Sequence, residues 1–242
     1  SIARPGLTPG RRSAILKDVP TDAVIVAAGA STRFGSADKL TADLAGRPLI
    51  AWSLAAFEPV RSLGCLVIVV APGRQAEFED LARTWCPRAC FRVVAGGARR
   101  RDSVEAGLRA CSTRYVAIHD GARPLVTPAL IERTIEAAQG LPGAIAAVPV
   151  TDTIKEVRGG RIVGHPDRSL LWAAQTPQVV LRQAWLDAAA MSDNDETDDA
   201  AMLSRLGLEC AVVEGSYDNL KVTRPLDLDI AARLLSAREA AP

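Results

Sequence analysis

The stretch from Ala23 to Lys39 reads AVIVAAGASTRFGSADK and changes character at Gly29. Ala23 to Ala28 carries β-branched residues and no charge, the pattern of a strand buried on both faces of a parallel sheet. At Gly29 the chain leaves that sheet. Ala27, Ala28 and Gly29 are small enough for a ligand to lie against the backbone, where N–H groups exposed in a turn bind phosphate oxygens. Arg33 and Lys39 add full positive charge nearby. The same residues also fit a tight strand-to-loop turn with solvated cations. Two better-known glycine motifs are excluded by spelling. A P-loop needs GxxxxGK[ST], but Lys39 follows Asp38 and precedes Leu40. A dinucleotide fingerprint needs GxGxxG, and Gly29-Ala30-Ser31 breaks it at the second glycine.

Working outward, 242 residues with 48% hydrophobic content suit one large α/β domain. We expect it over 19–242, with 1–18 a disordered, proline- and arginine-bearing tail. A formal net charge of +1 provides no global basic field, which argues against a general nucleic-acid or membrane-surface binder. No apolar run reaches membrane-span length and the N-terminus lacks a signal-peptide core, so the expected location is cytoplasmic. The five cysteines have no CxxC spacing and read as buried free thiols; Cys86 and Cys90 lack nearby partners for a zinc set.

Downstream, helices and strands alternate. Pro48 opens a helix through Phe57, stopped by Pro59. Cys65 to Ala71 reads as a strand, Gln75 to Trp85 as a helix, and Phe91 to Ala95 as a strand ending at Gly96-Gly97. GGARRRDSV, from Gly96, is a second anion-shaped turn before a helix through Val104, Leu108 and Cys111. At least one of Arg99, Arg100 and Arg101 is expected to point to water. The strand Tyr115 to Ile118 delivers His119-Asp120-Gly121-Ala122-Arg123-Pro124, and strand ends of this kind bind ligands in doubly wound sheets. Asp120 offers a hard carboxylate for Mg²⁺ shared with substrate phosphates. His119, ending an apolar strand, reads as structural.

Thr127 and Pro128 open a helix to Gln139. Ala144 to Val150 is a strand that Pro149 would place at an edge or a bend. Thr153 to Val157 and Arg161 to Gly164 flank Gly159-Gly160 as a hairpin too short and polar for the sheet centre, suited to packing on a second subunit. Leu181 to Met191 and Thr197 to Leu206 read as helices, the latter with Thr197 capping. Glu209 to Val213 reads as a strand, and a last helix begins at Pro225. The fold class is therefore α/β, a Rossmann-like doubly wound, mostly parallel sheet with a protruding β-hairpin arm at about 151–174. Two glycine turns, one carboxylate and the cations Arg33, Lys39, Arg123 and Lys221 favour phosphoryl or nucleotidyl transfer.

Several motifs in this order resemble the 2-C-methyl-D-erythritol 4-phosphate cytidylyltransferase family: AAGASTRFG with Asp38-Lys39, GGARRRDSV, HDGARP, DTIK, DRSLLWAAQTPQ, TDDA and DNLKVTRP. The resemblance covers Ala23 to Leu235 and implies a nucleotide-diphospho-sugar transferase type of fold. It also implies transfer of CMP from CTP to methylerythritol phosphate with Mg²⁺, in non-mevalonate isoprenoid biosynthesis. By that similarity, Arg33, Lys39 and Lys221 are catalytic, and Asp120 serves the metal and both substrates. Ala27, Ala28 and Gly29 hold the triphosphate, and Gly97 and Ser103 the cytosine. Asp120, Arg123, Thr153, Thr176 and Thr197 face the polyol phosphate, with Arg168 from a neighbouring subunit of a homodimer whose arm is the hairpin. The chain departs from the family at Gly121, usually Ala, and at Ala98-Arg99, which replace an acidic residue and put the base contacts in question. It ends soon after Leu235, without a fused cyclase domain, and is expected to be monofunctional. Ribitol 5-phosphate cytidylyltransferase is a rival reading. Guanylyl- or uridylyltransferases and a non-catalytic nucleotide-sensing dimer are others.

Overall fold

The computed structural model describes residues 19–29, 34, 38–191 and 194–239; the tail at 1–18 and Arg33 lie outside them. In chain order the strands and helices are β1 (Thr21–Ala27), β2 (Asp43–Leu44), β3 (Arg47–Pro48), α1 (Leu49–Phe57), β4 (Leu63–Val70), α2 (Gln75–Trp85), β5 (Cys90–Ala95) and α3 (Arg100–Ala110). They continue with β6 (Tyr115–Asp120), α4 (Pro128–Ala138), β7 (Gly143–Pro149), β8 (Glu156–Arg158), β9 (Arg161–Gly164), β10 (Trp172–Leu181), α5 (Arg182–Met191), α6 (Asp199–Ser204), β11 (Ala211–Glu214) and α7 (Pro225–Glu239).

A seven-stranded sheet runs β11-β7-β10-β6-β1-β4-β5, and β10 alone is antiparallel to its neighbours. Along the central strands, successive side chains enter opposite layers, as strand periodicity requires. Ala23, Ile25, Leu66, Ile68 and Ala117 join Leu49, Leu54, Phe57, Phe78 and Ile131 on one side. Val24, Val67, Val69, Val116 and Ile118 meet Val104, Leu108, Trp185 and Leu203 on the other. Two-sided burial explains why these strands read as continuous apolar runs. The hairpin β8-β9 stands apart from the main sheet. Val157, Ile162 and Val163 are exposed on it, as are Leu170 and Trp172 just beyond.

Three expectations need correction. Residues 172–181 form a ten-residue strand, β10, whose start falls in the arm expected at about 151–174 and whose remainder the sequence reading assigns to no strand before the helix expected from Leu181. Its Gln175, Thr176 and Gln178 are buried polar residues that hide an interior strand from a hydrophobicity reading. Strand β7 is interior, between β10 and β11, and Pro149 is tolerated because it is the last residue of the strand. The cysteines are all free, but only Cys86 and Cys111 are buried, while Cys90 is exposed on the edge strand.

Candidate active site

The cleft opens at the carboxyl ends of β1, β5 and β6, where Ala27, Ala28 and Gly29 face Gly97, Lys39 and Lys221. The glycine pair after β5 is a packing requirement. A Cβ on Gly97 would lie 2.4 Å from the Asp102 Cβ, and one on Gly96 would lie 2.6 Å from both the Ala28 Cβ and the Ser103 Oγ. This approach brings the turn directly onto the start of α3. There the Arg99 N–H donates to Asp102 Oδ2 (3.1 Å), and the Gly97 N–H donates to Ser103 Oγ (3.2 Å). Ser103 is buried, and its hydroxyl shapes the glycine loop. Gly121 is similarly tight: a Cβ would meet Ile25, Ile50 and the Val26 carbonyl at 3.3 Å, so an alanine requires small shifts in this chain.

Asp120, the last residue of β6, sits among cations. Lys221 Nζ is 2.9 Å away, Arg100 Nε 3.6 Å and Arg123 Nε 3.7 Å. Burial works against its ionisation, but the charges of Lys221, Arg100 and Arg123 outweigh that penalty and hold the carboxyl well below the usual carboxylate range. Lys221 arrives from far along the chain because the Val222 N–H donates to the Ala122 carbonyl (2.8 Å) and Arg123 Nη1 donates to the Asn219 carbonyl (2.7 Å). Arg100 is anchored from behind. Its Nη2 is 2.7 Å from Asp199, a buried carboxylate that also accepts from the Trp185 indole N–H (3.1 Å).

A second pocket adjoins the first, and both share Arg100, Asp120 and Lys221. Its other walls include Arg123, Gln175, Thr176, Thr197 and Asp198. Thr176 Oγ1 accepts from the Asp120 N–H (3.1 Å) and lies 3.0 Å from His119 Nδ1. The other imidazole nitrogen, Nε2, is 3.3 Å from the Arg123 carbonyl. Burial pushes this histidine down to about 4, so it stays neutral at physiological pH and packs as a structural residue. Gln178 Oε1 accepts from the N–H groups of Asp199 and Ala200, fixing the start of α6.

The structure thus gathers Ala27, Ala28, Gly29, Lys39, Gly97, Ser103, Asp120, Arg123, Thr176, Thr197 and Lys221 around two contiguous pockets. Thr153 and Arg168 lie on the exposed arm and line neither; Arg168 Nη1 donates to the Thr151 carbonyl (2.7 Å). The expected solvated arginine is replaced by three engaged ones: Arg99 pairs with Asp102, Arg100 with Asp199, and Arg101 donates to the carbonyls of Ala189 and Asn194. Nor does Thr197 cap α6. Asp198 does, accepting from the Ala201 N–H (2.8 Å). Sequence reasoning missed Arg100, Gln175, Gln178 and Asn219; a signal for Arg100 was its place at the first turn of a helix beside a glycine pair. Among the described residues, no three of His, Cys, Asp and Glu converge as a metal-binding group.

Solved structures that share this fold and sequence are enzymes of nucleotidyl transfer. The cytidylyltransferase from Thermus thermophilus, described as 2-C-methyl-D-erythritol 4-phosphate cytidylyltransferase, superposes with a TM-score of 0.73 at 31% identity, covering 90% of this chain and 99% of that one. A protein of the same description from Synechococcus elongatus is 42% identical over 223 residues, 89% of this chain and 96% of the relative. One from Cereibacter sphaeroides is 44% identical over 220 residues, 89% and 97% respectively. A sequence model of the family described as IspD, 2-C-methyl-D-erythritol 4-phosphate cytidylyltransferase, matches residues 21–237. The chain belongs to that family.

Proposed function

We propose that this protein transfers CMP from CTP to 2-C-methyl-D-erythritol 4-phosphate, releasing 4-diphosphocytidyl-2-C-methyl-D-erythritol and pyrophosphate in non-mevalonate isoprenoid precursor biosynthesis. The observation that carries this reading is the pair of pockets joined at Asp120, Lys221 and Arg100, an arrangement suited to two anionic substrates meeting at one phosphorus. CTP takes the first pocket, its triphosphate against Ala27, Ala28 and Gly29 and its base toward Gly97 and Ser103. The polyol phosphate takes the second, held by Arg123, Thr176 and Thr197. An oxygen of the polyol phosphate attacks the α-phosphorus, the bond to the bridging oxygen of the β-phosphate breaks, and pyrophosphate leaves. The nucleophile is already an anion, so no general base is required. Lys39, Lys221 and Arg33 neutralise the charge that builds at phosphorus, where fixed cations act most strongly.

Asp120 fits a divalent cation. It is ionised, sits at the pocket junction, and Mg²⁺ needs only one or two carboxylates when substrate phosphates supply the other oxygens. Bound there, Mg²⁺ would supply further neutralisation of phosphate charge. We read 19–242 as one cytoplasmic domain and the active unit as a homodimer, with Thr153 and Arg168 of the arm serving a neighbouring site. With CTP and Mg²⁺, pyrophosphate release should depend on methylerythritol phosphate. Faster turnover with ribitol 5-phosphate overturns the substrate assignment. Asp120→Asn should raise the Mg²⁺ concentration needed for half-maximal rate; unchanged Mg²⁺ dependence with a higher polyol phosphate KM makes Asp120 a substrate ligand instead.

A further inference from the structure

Away from the cleft, Cys65 and Cys90 are register partners on the neighbouring parallel strands β4 and β5, with their sulfurs 3.0 Å apart. Paired strands lie about 4.8 Å apart, inside the roughly 4.4–6.8 Å of Cα separation that a disulfide spans. Closing to an S–S bond of about 2.05 Å therefore needs side-chain rotation only. Strand β5 is the sheet edge, Cys90 is exposed, and Cys65 is half-buried behind it. We propose that Cys65 and Cys90 form a redox-reactive dithiol site that is oxidised by low-molecular-weight disulfides to an internal cross-strand disulfide.

The two thiols divide the work. Burial, reinforced by the hydrogen bond with Cys90, pushes the Cys65 thiol up to about 12 and keeps it protonated while the pair is reduced. Cys90 faces solvent and attacks first. Its thiolate displaces one thiolate from the external disulfide, giving a mixed disulfide on Cys90. The Cys65 sulfur then attacks the Cys90 sulfur, and the second external thiolate leaves. The two protein protons end on the two released thiols, so two thiols and one disulfide become one disulfide and two thiols. Cys86 and Cys111 are buried away from such an encounter. The bond would tie the amino ends of β4 and β5, whereas the cleft lies at their carboxyl ends. The edge strand that continues into Gly96-Gly97 is thereby pinned without touching the substrate pockets.

Incubating the full chain with oxidised glutathione, then quantifying thiols in denaturant and mapping peptides by mass, tests this. Of the five cysteine thiols, two should disappear, the mass should fall by two hydrogens, and one peptide should link Cys65 to Cys90. Cys65→Ser, or Cys65→Ala if the serine variant does not fold, should instead trap glutathione on Cys90. Cys90→Ser should yield no link. A wild-type chain that keeps all its thiols, retains a glutathione adduct without an internal bond, or joins Cys65 to Cys111 overturns the proposal.

Discussion

Lys221 is presented to Asp120 by backbone bonds of its neighbours, and its own side chain is only partly covered (39% exposed). Removing it should therefore damage chemistry more than folding. We expect Lys39→Ala and Lys221→Ala each to lower kcat on the order of 10²-fold, with melting temperatures close to wild type. Near-normal kcat, or loss of activity only through unfolding, contradicts the assignment. His119 makes a different prediction, about pH. Its folded value is about 4 against an ordinary 6.5, so on acidification the unfolded chain binds the proton first. Stability from this group is fully present above about 6.5 and is lost as pH falls through about 4, amounting to roughly 3 kcal/mol. Asp120 has the same sign at lower pH: its contribution is present above its ordinary value of 3.8 and lost below it. Urea midpoints should fall steadily from pH 7 to pH 4.5, and His119→Gln should flatten that slope while lowering stability at pH 7. A wild-type midpoint that does not change over this interval contradicts the linkage.

At the scale of elements, the turn between β5 and α3 depends on the absence of a side chain. Gly97→Ala would drive a methyl into Asp102 at 2.4 Å, displacing the first turn of α3 and the cleft wall it forms. The expected result is a CTP KM raised about 10-fold or more with a smaller change in polyol phosphate KM, read from initial rates; equal effects on both substrates would place the disturbance elsewhere. The same elements show what sequence alone discloses. Strands β1, β4 and β6 were legible because both their faces are largely buried, β5 because its apolar run stops at a glycine pair although it forms the half-exposed edge, and Lys39 because it follows Gly29 closely in sequence. Strand β10 was not, since its Gln175, Thr176 and Gln178 are buried for hydrogen bonds that belong to distant segments, including the Asp120 and Asp199 N–H groups. Arg100 was opaque for the same reason: its partner Asp199 is far along the chain, and a cationic run without a visible partner resembles a solvated face. Lys221 was counted among the cations from the sequence, but its catalytic role came only through the family resemblance, because nothing local predicts the Val222-to-Ala122 bond that brings it to Asp120.

On the scale of the whole molecule, the arm exposes Val157, Ile162, Val163, Leu170 and Trp172 together, apolar area of the kind that marks an interface. If Arg168 completes a neighbour's site while Lys221 serves its own, Arg168→Ala and Lys221→Ala homodimers are each nearly inactive. Mixing them in equal amounts with subunit exchange should restore about a quarter of all sites, because each heterodimer has one site with both lesions and one with neither. No recovery after exchange, verified with differently tagged chains, places both residues in the same subunit's site. The position of β10 also bears on how the chain matures. Strand β6 borders β1 on one side, but its other edge is filled only when Gln178–Leu181 pair with Tyr115–Ile118. During synthesis, at roughly 5–20 residues per second, a nascent chain that has reached Pro149 holds β6 with an open edge and β7 with no neighbour in the sheet. For several seconds on the ribosome the newborn protein is a half-sheet awaiting its keystone, and a chaperone that shields strand edges has its natural moment there.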